Sequence, residues 1–353
     1  MNKFNSTIAI ALLAVTFTAC KKNTDEPIVV VPPSDGSTLT LNGLIGAELG
    51  SAAGNSVYVD FSADKQTAIE RDSWDLGFYS GADFKVILNS TNGASAVATD
   101  KTDINAVTAT GFDSNVLKVG QGIGNFTVID DGREPNILNK TAIAAISATD
   151  AENKVYIINR KGGAATVLTN DELYKIKVIR KGSGYTLQYA KLTETTFKTL
   201  DIAKNADANF QFASLVKGTA VTAEPAKASW DIVWGYSMYW TSTFPYAFSD
   251  LVFINNLASV TAASVATSAK SYAAFSESDL ASVAFSTARD VIGANWRTSP
   301  DRNGVGGAVN DKVFYVVKDG SGNVYKLKFV SYISTDGGTR GKPVIEYKLV
   351  KKG

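Results

Sequence analysis

Short runs of alternating apolar and polar residues, separated by glycine, asparagine or serine, recur along most of the chain. Lys175-Ile176-Lys177-Val178-Ile179 is a clear example of the two-residue period that predicts a half-buried strand. β-Branched and aromatic residues are frequent in these runs, as is typical of strands. The pattern predicts strands over residues 57–61, 84–88, 155–159, 174–180 and 185–192.

Near the C-terminus, two such runs at residues 313–318 and 325–332 flank Asp319-Gly320-Ser321-Gly322-Asn323, which predicts a β-hairpin. Helices are expected only at residues 141–150 and at residues 276–288, where Ser276 and Asp279 resemble a capping box. The predicted fold class is therefore all-β with a minor α component.

The first residues have the features of an export signal. Lys3 precedes an apolar run at residues 8–17, which is too short to span a bilayer, and Thr18-Ala19-Cys20 follows it. Small residues before a single cysteine resemble the lipobox of bacterial lipoproteins, and the alternative is an ordinary secretory signal with an incidental cysteine. We predict a signal peptide over residues 1–19, and a lipidated Cys20 that begins a flexible, proline-containing tether over residues 20–37.

The remainder of the chain repeats a set of landmarks. Ser73-Trp74-Asp75-Leu76 returns as Ser229-Trp230-Asp231-Ile232, 156 residues later. Further pairs are Lys154-Val155-Tyr156-Ile157 with Lys312-Val313-Phe314-Tyr315, Leu173-Tyr174-Lys175 with Val324-Tyr325-Lys326, and Gln188-Tyr189 with Glu346-Tyr347. Because order and spacing are both kept, we predict two related β domains over residues 38–204 and 205–353 rather than a solenoid of shorter repeats.

Composition excludes several classes of function. The chain has no histidine and one cysteine, so a Ser-His-Asp or Cys-His centre, an internal disulfide and a typical zinc site cannot be built. The net charge of +1, from 35 basic and 34 acidic residues, provides no field to attract nucleic acid. We therefore expect a binding protein and not an enzyme, with no metal site formed by the chain alone.

Two local patterns carry little weight as sites. Asp130, Asp131 and Glu134 surround Gly132, and acids beside glycine and proline are usually a solvated turn. The glycines at 120, 122 and 124 imitate a phosphate-binding fingerprint in spacing alone, because no βαβ pattern surrounds them.

The most unusual segment covers residues 230–248, in which nine of nineteen residues are aromatic or methionine. So many rings could line a site for a flat apolar ligand, with tyrosine or methionine reaching a metal inside it, or could stack on sugars. Alternatively, alternate residues of these strands fill a core and a domain interface.

Ser73-Trp74-Asp75-Leu76-Gly77-Phe78-Tyr79 resembles the Trp-Asp-(apolar)-Ala-Phe stretch of the HmuY family, which are haem-binding lipoproteins of Bacteroidetes. The C-terminal run from Phe314 to Tyr347 resembles the end of the same family. The resemblance implies an all-β lipoprotein of the outer membrane that captures haem and passes it to a TonB-dependent receptor.

In that family an axial histidine follows the Trp-Asp stretch, and here the corresponding positions hold Tyr79 and Gly235. Because phenolate and thioether can both bind haem iron, the resemblance suggests haem contacts from Tyr79, Tyr236, Met238 and Tyr239, with Trp234 and Trp240 as aromatic lining. Haem or a related porphyrin is the expected ligand, and no other cofactor is expected. The competing hypothesis is a surface glycan-binding or adhesion lipoprotein in which Trp234, Tyr239 and Trp240 contact sugars or a partner.

Overall fold

The structure is a computed structural model that describes residues 32–301 and 305–353. The predicted signal peptide, Cys20 and most of the predicted tether lie outside the described residues. Residues Pro33–Gly353 form one compact unit. Its strands, in chain order, are β1 Gly36–Thr40, β2 Asn55–Asp60, β3 Lys65–Glu70, β4 Leu76–Tyr79, β5 Val86–Leu88, β6 Ser95–Ala98, β7 Tyr156–Asn159, β8 Tyr174–Lys181, β9 Gly184–Lys191, β10 Lys198–Ile202, β11 Phe210–Ser214, β12 Thr219–Val221, β13 Ile232–Thr241, β14 Phe244–Ile254, β15 Thr261–Ala266, β16 Arg297–Thr298, β17 Ala308–Val309, β18 Val313–Lys318, β19 Val324–Ser331 and β20 Val344–Lys351.

Four antiparallel sheets and one two-stranded ribbon contain these strands, and the all-β prediction is confirmed. One five-stranded sheet has the order β10-β9-β8-β7-β6, and the other has the order β1-β20-β19-β18-β15. The two four-stranded sheets have the orders β12-β11-β4-β5 and β3-β2-β13-β14. The sheets therefore correspond strand for strand when β4 to β9 are matched with β13, β14, β15, β18, β19 and β20, and β10 to β12 with β1 to β3.

We call the sheets β10-β9-β8-β7-β6 and β12-β11-β4-β5 the first set, and the sheets β1-β20-β19-β18-β15 and β3-β2-β13-β14 the second set. Strands β1 to β3 occupy the places in the second set that β10 to β12 occupy in the first. β1 pairs with β20, with Gly36 opposite Lys348, and β2 pairs with β13, with Val59 opposite Ile232. β4 pairs with β11, with Leu76 opposite Ala213. Three of the four large sheets therefore combine strands from both sides of residue 204, so the strand pairing groups the residues differently from the division predicted at 204/205.

Each set of sheets encloses its own apolar core. The first core extends from Leu76 to Leu215 and contains Ile158, Ile176 and Leu187. The second combines residues near the start of the described chain, including Leu41 and Phe61, with residues 232–347. Because each strand alternates its side chains between the two faces of its sheet, one face of every sheet can supply these cores and leave the other face free.

The repeated Trp-Asp pairs form matching hydrogen bonds in the two sets. Asp75 Oδ2 accepts a hydrogen bond of 2.7 Å from the backbone N–H of Leu215, and Asp231 Oδ2 accepts one of 2.8 Å from that of Phe61. Asn89 donates its side-chain N–H to the Trp74 carbonyl at 2.7 Å, and Asn255 does the same to the Trp230 carbonyl at 3.0 Å. These bonds tie the start of β4 to the end of β11, and the start of β13 to the end of β2.

The predicted C-terminal hairpin is confirmed, because β18 and β19 pair directly and residues 319–323 connect them. The helix predicted at residues 141–150 is wrong: Ala142 donates its N–H to Asp130, and Ile146 donates its N–H to the carbonyl of Phe84. At residues 276–288 only a short 3-10 helix forms, Glu277–Ser282, in which Asp279 accepts the N–H of Ser276. Contacts with residues far away in sequence therefore determine the conformation of both segments, and neither forms a helix of the predicted length.

Candidate functional site

The aromatic segment of the sequence forms one long hairpin, β13 and β14, which is ten and eleven residues long. The corresponding strands β4 and β5 have only four and three residues. The register of β13 and β14 shifts between Gly235 and Ser237, as at a β-bulge, and pairing then continues to Thr241 opposite Phe244. The hairpin therefore extends well past the bulge, and this extension carries most of the aromatic residues.

Trp234 and Met238, two of the residues predicted to line or bind a ligand, are core residues. Trp234 is 1% exposed and belongs to the second core, with Gly43 directly against its ring. Met238 is 3% exposed and packs with Val119, Phe126 and other residues of the segment that covers the hairpin. As folded, neither side chain offers a surface to a ligand.

The other predicted contact residues are half-buried and point to different places. The guanidinium of Arg71 lies 4.5 Å from the centre of the Tyr236 ring, and burial raises the pKa of the Tyr236 phenol. The hydroxyl of Tyr239 donates to Asp290 at 2.5 Å, and burial raises the pKa of this phenol well above its usual range. Tyr79 packs on the ring of Phe210 at 5.7 Å between ring centres.

Trp240 is the remaining predicted lining residue, and it is half-buried. Its ring lies 5.8 Å from that of Tyr239, and among the described residues its indole N–H has no hydrogen-bond partner. Tyr236 and Trp240 pack against the cluster that contains Met238, and Trp240 contacts Tyr239. Trp234 lies in the second core and Tyr79 lies on β4, so the six predicted residues are not all brought to one place.

A large groove of about 800 Å³ runs beside the extended part of the hairpin. Tyr246 and Phe248 of β14 form part of its wall, with ring centres 5.1 Å apart. Arg297 and Arg340 also line it, and both are held by the end of β14: Arg340 donates to Asp250 at 3.0 Å, and Arg297 donates to the Ser249 carbonyl at 2.6 Å. Asp301 also lines the groove, so its two arginines are accompanied by two aspartates, Asp250 and Asp301, and the groove has no excess charge.

A second, smaller cavity of about 140 Å³ lies between the outer faces of the two four-stranded sheets. Trp74 and Phe212 line it from one side, and Tyr58 and Val233 from the other. Both repeated tryptophans, Trp74 and Trp230, therefore face the space between the two sets of sheets, where they serve as packing residues in the same way.

The acids beside Gly132 are not a solvated turn, so that interpretation of the sequence is wrong. Asp130 is 4% exposed and Asp131 is 1% exposed. Asp130 accepts the backbone N–H groups of Leu88 at 2.7 Å and Ala142 at 3.0 Å, while burial raises the pKa of its carboxyl to about 7.

The pKa of the neighbouring carboxyl, Asp131, is lowered instead. Burial raises the pKa of Asp131, but hydrogen bonds from Arg133 and Lys140, at 2.5 and 3.0 Å, outweigh that effect and bring it to about 2. The pKa values of the adjacent carboxyls thus differ because only Asp131 has hydrogen-bonded cations, whereas Arg289 acts on Asp130 without a hydrogen bond.

Sequence reasoning did not identify Arg289, Arg297 and Arg340. These arginines come from segments far from the aromatic hairpin, and no local motif marks them. Tyr246 and Phe248 were part of the aromatic segment, but alternation alone does not show which rings face a groove.

Among the described residues, no helix is both long and apolar enough to cross a membrane, and no group of three or more acidic, cysteine or histidine residues is arranged to hold a metal ion.

In the comparison with known proteins, one family model matches the chain. The family model described as HmuY protein matches residues 52–347 in one span. Neither a curated protein nor a solved structure matches the chain.

Proposed function

Because the chain belongs to the HmuY family, whose members are binding proteins, we propose that it captures haem or a related porphyrin and performs no catalysis. The observation that carries this proposal is the groove of about 800 Å³ beside the β13–β14 hairpin. Pockets for ligands of this class usually have volumes of about 300–1,000 Å³. The cavity of about 140 Å³ is too small for a porphyrin.

The lining of the groove suits a flat ring system with acidic side groups. The rings of Tyr246 and Phe248 offer apolar faces, and Arg340, whose side chain is 25% exposed, offers a cation to a haem propionate. A phenolate is an established ligand of ferric haem iron, and Tyr246 supplies a phenol in the groove wall. When bound, the iron would supply the redox and spectroscopic properties, and the protein would supply orientation and charge.

The haem-contact residues suggested by the family resemblance remain secondary proposals. Tyr79 on β4 and Tyr236 and Tyr239 on β13 are half-buried, so each keeps part of its side chain accessible to a ligand. Met238 and Trp234 would have to leave their cores first, which makes a methionine ligand costly. Tyr246 is therefore the ligand that we test first.

The test is a spectroscopic titration of the purified mature protein with haem in the oxidised and reduced states. We expect a sharpened and shifted Soret band in the oxidised state, and we expect Tyr246→Phe to weaken that shift by removing the phenolic oxygen. Tyr272→Phe, which alters a half-buried tyrosine outside the groove, is the matched control. Unchanged spectra in both states would refute haem binding, and an unchanged Tyr246→Phe spectrum would refute only the choice of ligand.

Glycan binding is the alternative function, and it would also depend on the aromatic residues of the hairpin. Trp234 cannot stack on a sugar because it is fully buried, so Tyr239 and Trp240 would have to provide the stacking surfaces. A glycan array separates the two hypotheses. Specific glycan binding that is lost in Trp240→Ala, together with an unshifted Soret band, would favour adhesion over haem capture.

We further propose that the protein is a lipoprotein of the outer membrane, anchored through Cys20 and exposed at the cell surface, and that it passes its ligand to a TonB-dependent receptor. The basic, apolar and small-residue order of residues 1–20 and the family support this location. Cys20→Ala should move the protein from the membrane fraction to the soluble fraction. Retention in the membrane would show that another anchor exists.

Finally, we propose that the chain contains two related HmuY-like units. The family match is a single span, but the equal strand orders and the matched bonds of Asp75 and Asp231 support two units of common plan. The strand pairing favours residues 71–223 as the first unit, and residues 33–70 with 224–353 as the second, over a division at 204/205.

A further inference from the structure

The first set of sheets contains a buried ion pair that the second set lacks. Asp75 Oδ1 accepts the Nε–H of Arg160 at 2.9 Å, and Asp72 accepts an Nη2–H of the same guanidinium at 3.0 Å. Asp231 is the counterpart of Asp75, and the Oδ2 atom of each accepts one backbone N–H. Among the described residues, however, Oδ1 of Asp231 accepts no hydrogen bond and the carboxyl has no ion pair.

The strand register identifies the residue that replaces the arginine. Ile158 on β7 and Val317 on β18 each lie opposite the tyrosine of the repeated apolar-Tyr-Lys landmark on the next strand. Two residues further on, Arg160 therefore corresponds to Asp319. This register differs by one residue from the sequence match at β7 and β18, because the strands pair by their hydrogen bonds. The second set thus has an acid where the first set has a guanidinium.

A cavity of about 270 Å³ lies at this place in the second set, and we call it the Asp231 cavity. Asp231 and Asp319 line it, and they are 6% and 5% exposed. Ala228, which takes the place of Asp72 in the repeated segment, also lines it, as does Trp230. The cavity therefore brings together the counterparts of all three members of the ion-pair group, and it contains no counterpart of the arginine.

The charges closest to Asp231 are negative. Burial and the charges of Asp60 and Asp319 raise the pKa of Asp231 to about 8. Asp319 already accepts three hydrogen bonds from Ser321 and Asn323 of its own turn, so Oδ1 of Asp231 is the open acceptor. Lys227 also lines the cavity, but it is exposed and forms no ion pair with either acid in the part of the chain that the structure describes.

We propose that the Asp231 cavity is a binding site, separate from the large groove, for a small alkylguanidinium ligand that donates to Oδ1 of Asp231. The guanidinium would take the place that the Arg160 guanidinium takes in the first set, beside the ring of Trp230. Guanidinium groups form directed hydrogen bonds with carboxylates and are attracted to the faces of indole rings. A buried acid without a cation is costly, and a bound cation would offset that cost.

The size and donors of the cavity favour this ligand over a metal ion. A volume of about 270 Å³ leaves room for a short alkyl chain beside a guanidinium, and Leu257 and Val260 provide apolar contacts for it. Calcium takes six to eight oxygen ligands, whereas only two carboxyls line the cavity and those of Asp319 are already used.

Binding should depend on pH, because the cation must displace the proton of Asp231. The affinity should increase by about tenfold or more from pH 6.5 to pH 8.5, as the carboxyl ionises. The other charged or titratable groups around it are Asp60 on β2, Asp319, Lys227 and Tyr325 on β19. Burial raises the pKa of Tyr325 above its usual range, so this phenol stays neutral across that interval.

NMR titration of the full mature protein with ethylguanidinium at about pH 8, compared with ethylurea, tests the proposal. The two probes have similar shapes, but only ethylguanidinium is charged, and we expect it to bind at least about tenfold more tightly. It should shift the indole N–H signal of Trp230 and the amide signal of Ser321, and leave the signals of Tyr246 and Phe248 in the groove unchanged.

Substitutions test the comparison between the two sets. Asp231→Asn should abolish the preference for ethylguanidinium, and Asp319→Arg should block the site by restoring the arginine of the first set. Ala228→Asp, which restores the acid found at Asp72, should strengthen binding. Asp311→Asn is the control, because that side chain is 80% exposed and lies outside the cavity.

The titration of the unmodified protein decides the question even if a variant does not fold. Equal affinity for the two probes, no shifts up to about 50 mM, or an affinity that does not change between pH 6.5 and pH 8.5 would each overturn the proposal. Calcium that shifts the same signals at lower concentration would also overturn it, by assigning the cavity to a metal ion. Since the groove and the Asp231 cavity share no lining residue, failure here leaves the haem proposal intact.

Discussion

Asp75 and Asp231 occupy equivalent places after the repeated tryptophans, but their electrostatic surroundings differ. Asp75 accepts a hydrogen bond from Arg160 Nε at 2.9 Å, whereas Asp231 has no ion pair among the described residues. Burial raises the pKa of Asp231 from 3.8 to about 8, so its carboxyl is mainly protonated in the folded protein at neutral pH. Burial raises the pKa of both carboxyls, but only Asp75 has an arginine that opposes this effect.

This difference gives a prediction about pH. In the unfolded chain Asp231 ionises above about pH 4, while the folded protein keeps it protonated up to about pH 8. Its contribution to stability is thus complete below pH 4 and is lost as the pH rises towards 8. Urea unfolding between pH 5 and pH 8.5 should show a falling midpoint, and Asp231→Asn should flatten this dependence while Asp130 and Glu224, whose pKa values burial also raises, maintain the remainder.

The matched control is Asp75→Asn, which removes one of the two ion-pair partners of Arg160. We expect it to lower the free energy of unfolding by about 1–3 kcal/mol at neutral pH, because Arg160 would keep only Asp72, whose side chain is 49% exposed, as a partner. An equal loss for Asp231→Asn, or no change in its pH slope, would contradict the neutral state of Asp231.

Substitutions of Met238 can separate a role in packing from a role as a haem ligand. Its side chain fills a cluster with Val119, Phe126 and Ala247, so Met238→Ala should cost about 2–4 kcal/mol of stability. Met238→Leu keeps the volume and removes the sulfur, and it should cost less than about 1.5 kcal/mol. If Met238→Leu also left the reduced haem spectrum unchanged, methionine ligation would be excluded, whereas its loss would restore Met238 as a ligand.

At the scale of elements, strands were easier to predict from sequence than helices or sites. The alternation of polar and apolar residues in Lys175-Ile176-Lys177 indicates that one face of the strand is buried, and this pattern can be read from the local sequence alone. The segment at 141–150 lacks a helix because long-range contacts determine it: Ile143 and Ile146 are buried in the first core. Similarly, Ser286 pairs with Ala262 of β15, so the helix at Glu277–Ser282 ends early. The groove and the cavity combine residues far apart in sequence, which no local pattern records.

The first strand illustrates a tertiary constraint on a single element. Gly36 begins β1 with φ of +122°, and a Cβ placed there would lie 2.3 Å from the carbonyl oxygen of Tyr347. Gly36→Ala should therefore weaken the pairing of β1 with β20 and lower stability by about 1–3 kcal/mol. Gly46→Ala is the control, because its Cβ would meet only one atom at 3.7 Å. Urea denaturation of both variants measures the difference, and equal midpoints would show that β1 contributes little.

At the scale of the molecule, the two ends of the described chain complete one set of sheets. β1 to β3 take the places that β10 to β12 take in the other set, and the second core combines Leu41 and Phe61 with residues 232–347. β20, the last strand, pairs with β1, the first strand of the described residues, so residues 36–40 and 344–348 lie side by side. In sequence, the tether predicted over residues 20–37 leads into β1.

This arrangement predicts which fragment folds alone. Residues 71–223 contain β4 to β12 and the whole first core, whereas residues 38–204 lack β11 and β12 and carry β2 and β3 without β13. Trp74 is the only tryptophan in either fragment, and in the protein its ring lies 4.8 Å from that of Phe212 on β11. We expect 71–223 to unfold cooperatively with blue-shifted Trp74 emission, and 38–204 to show the emission of an exposed indole.

The fluorescence of these two fragments discriminates between two ways of dividing the chain. Trp74 can be shielded in 71–223 because Phe212 and its strand are present, and that shielding is missing from 38–204 whatever its secondary structure. If 38–204 instead folded cooperatively and 71–223 did not, residues 38–70 would be required for the first core. The correspondence of β1 to β3 with β10 to β12 would then reflect a similar sheet order without independent units.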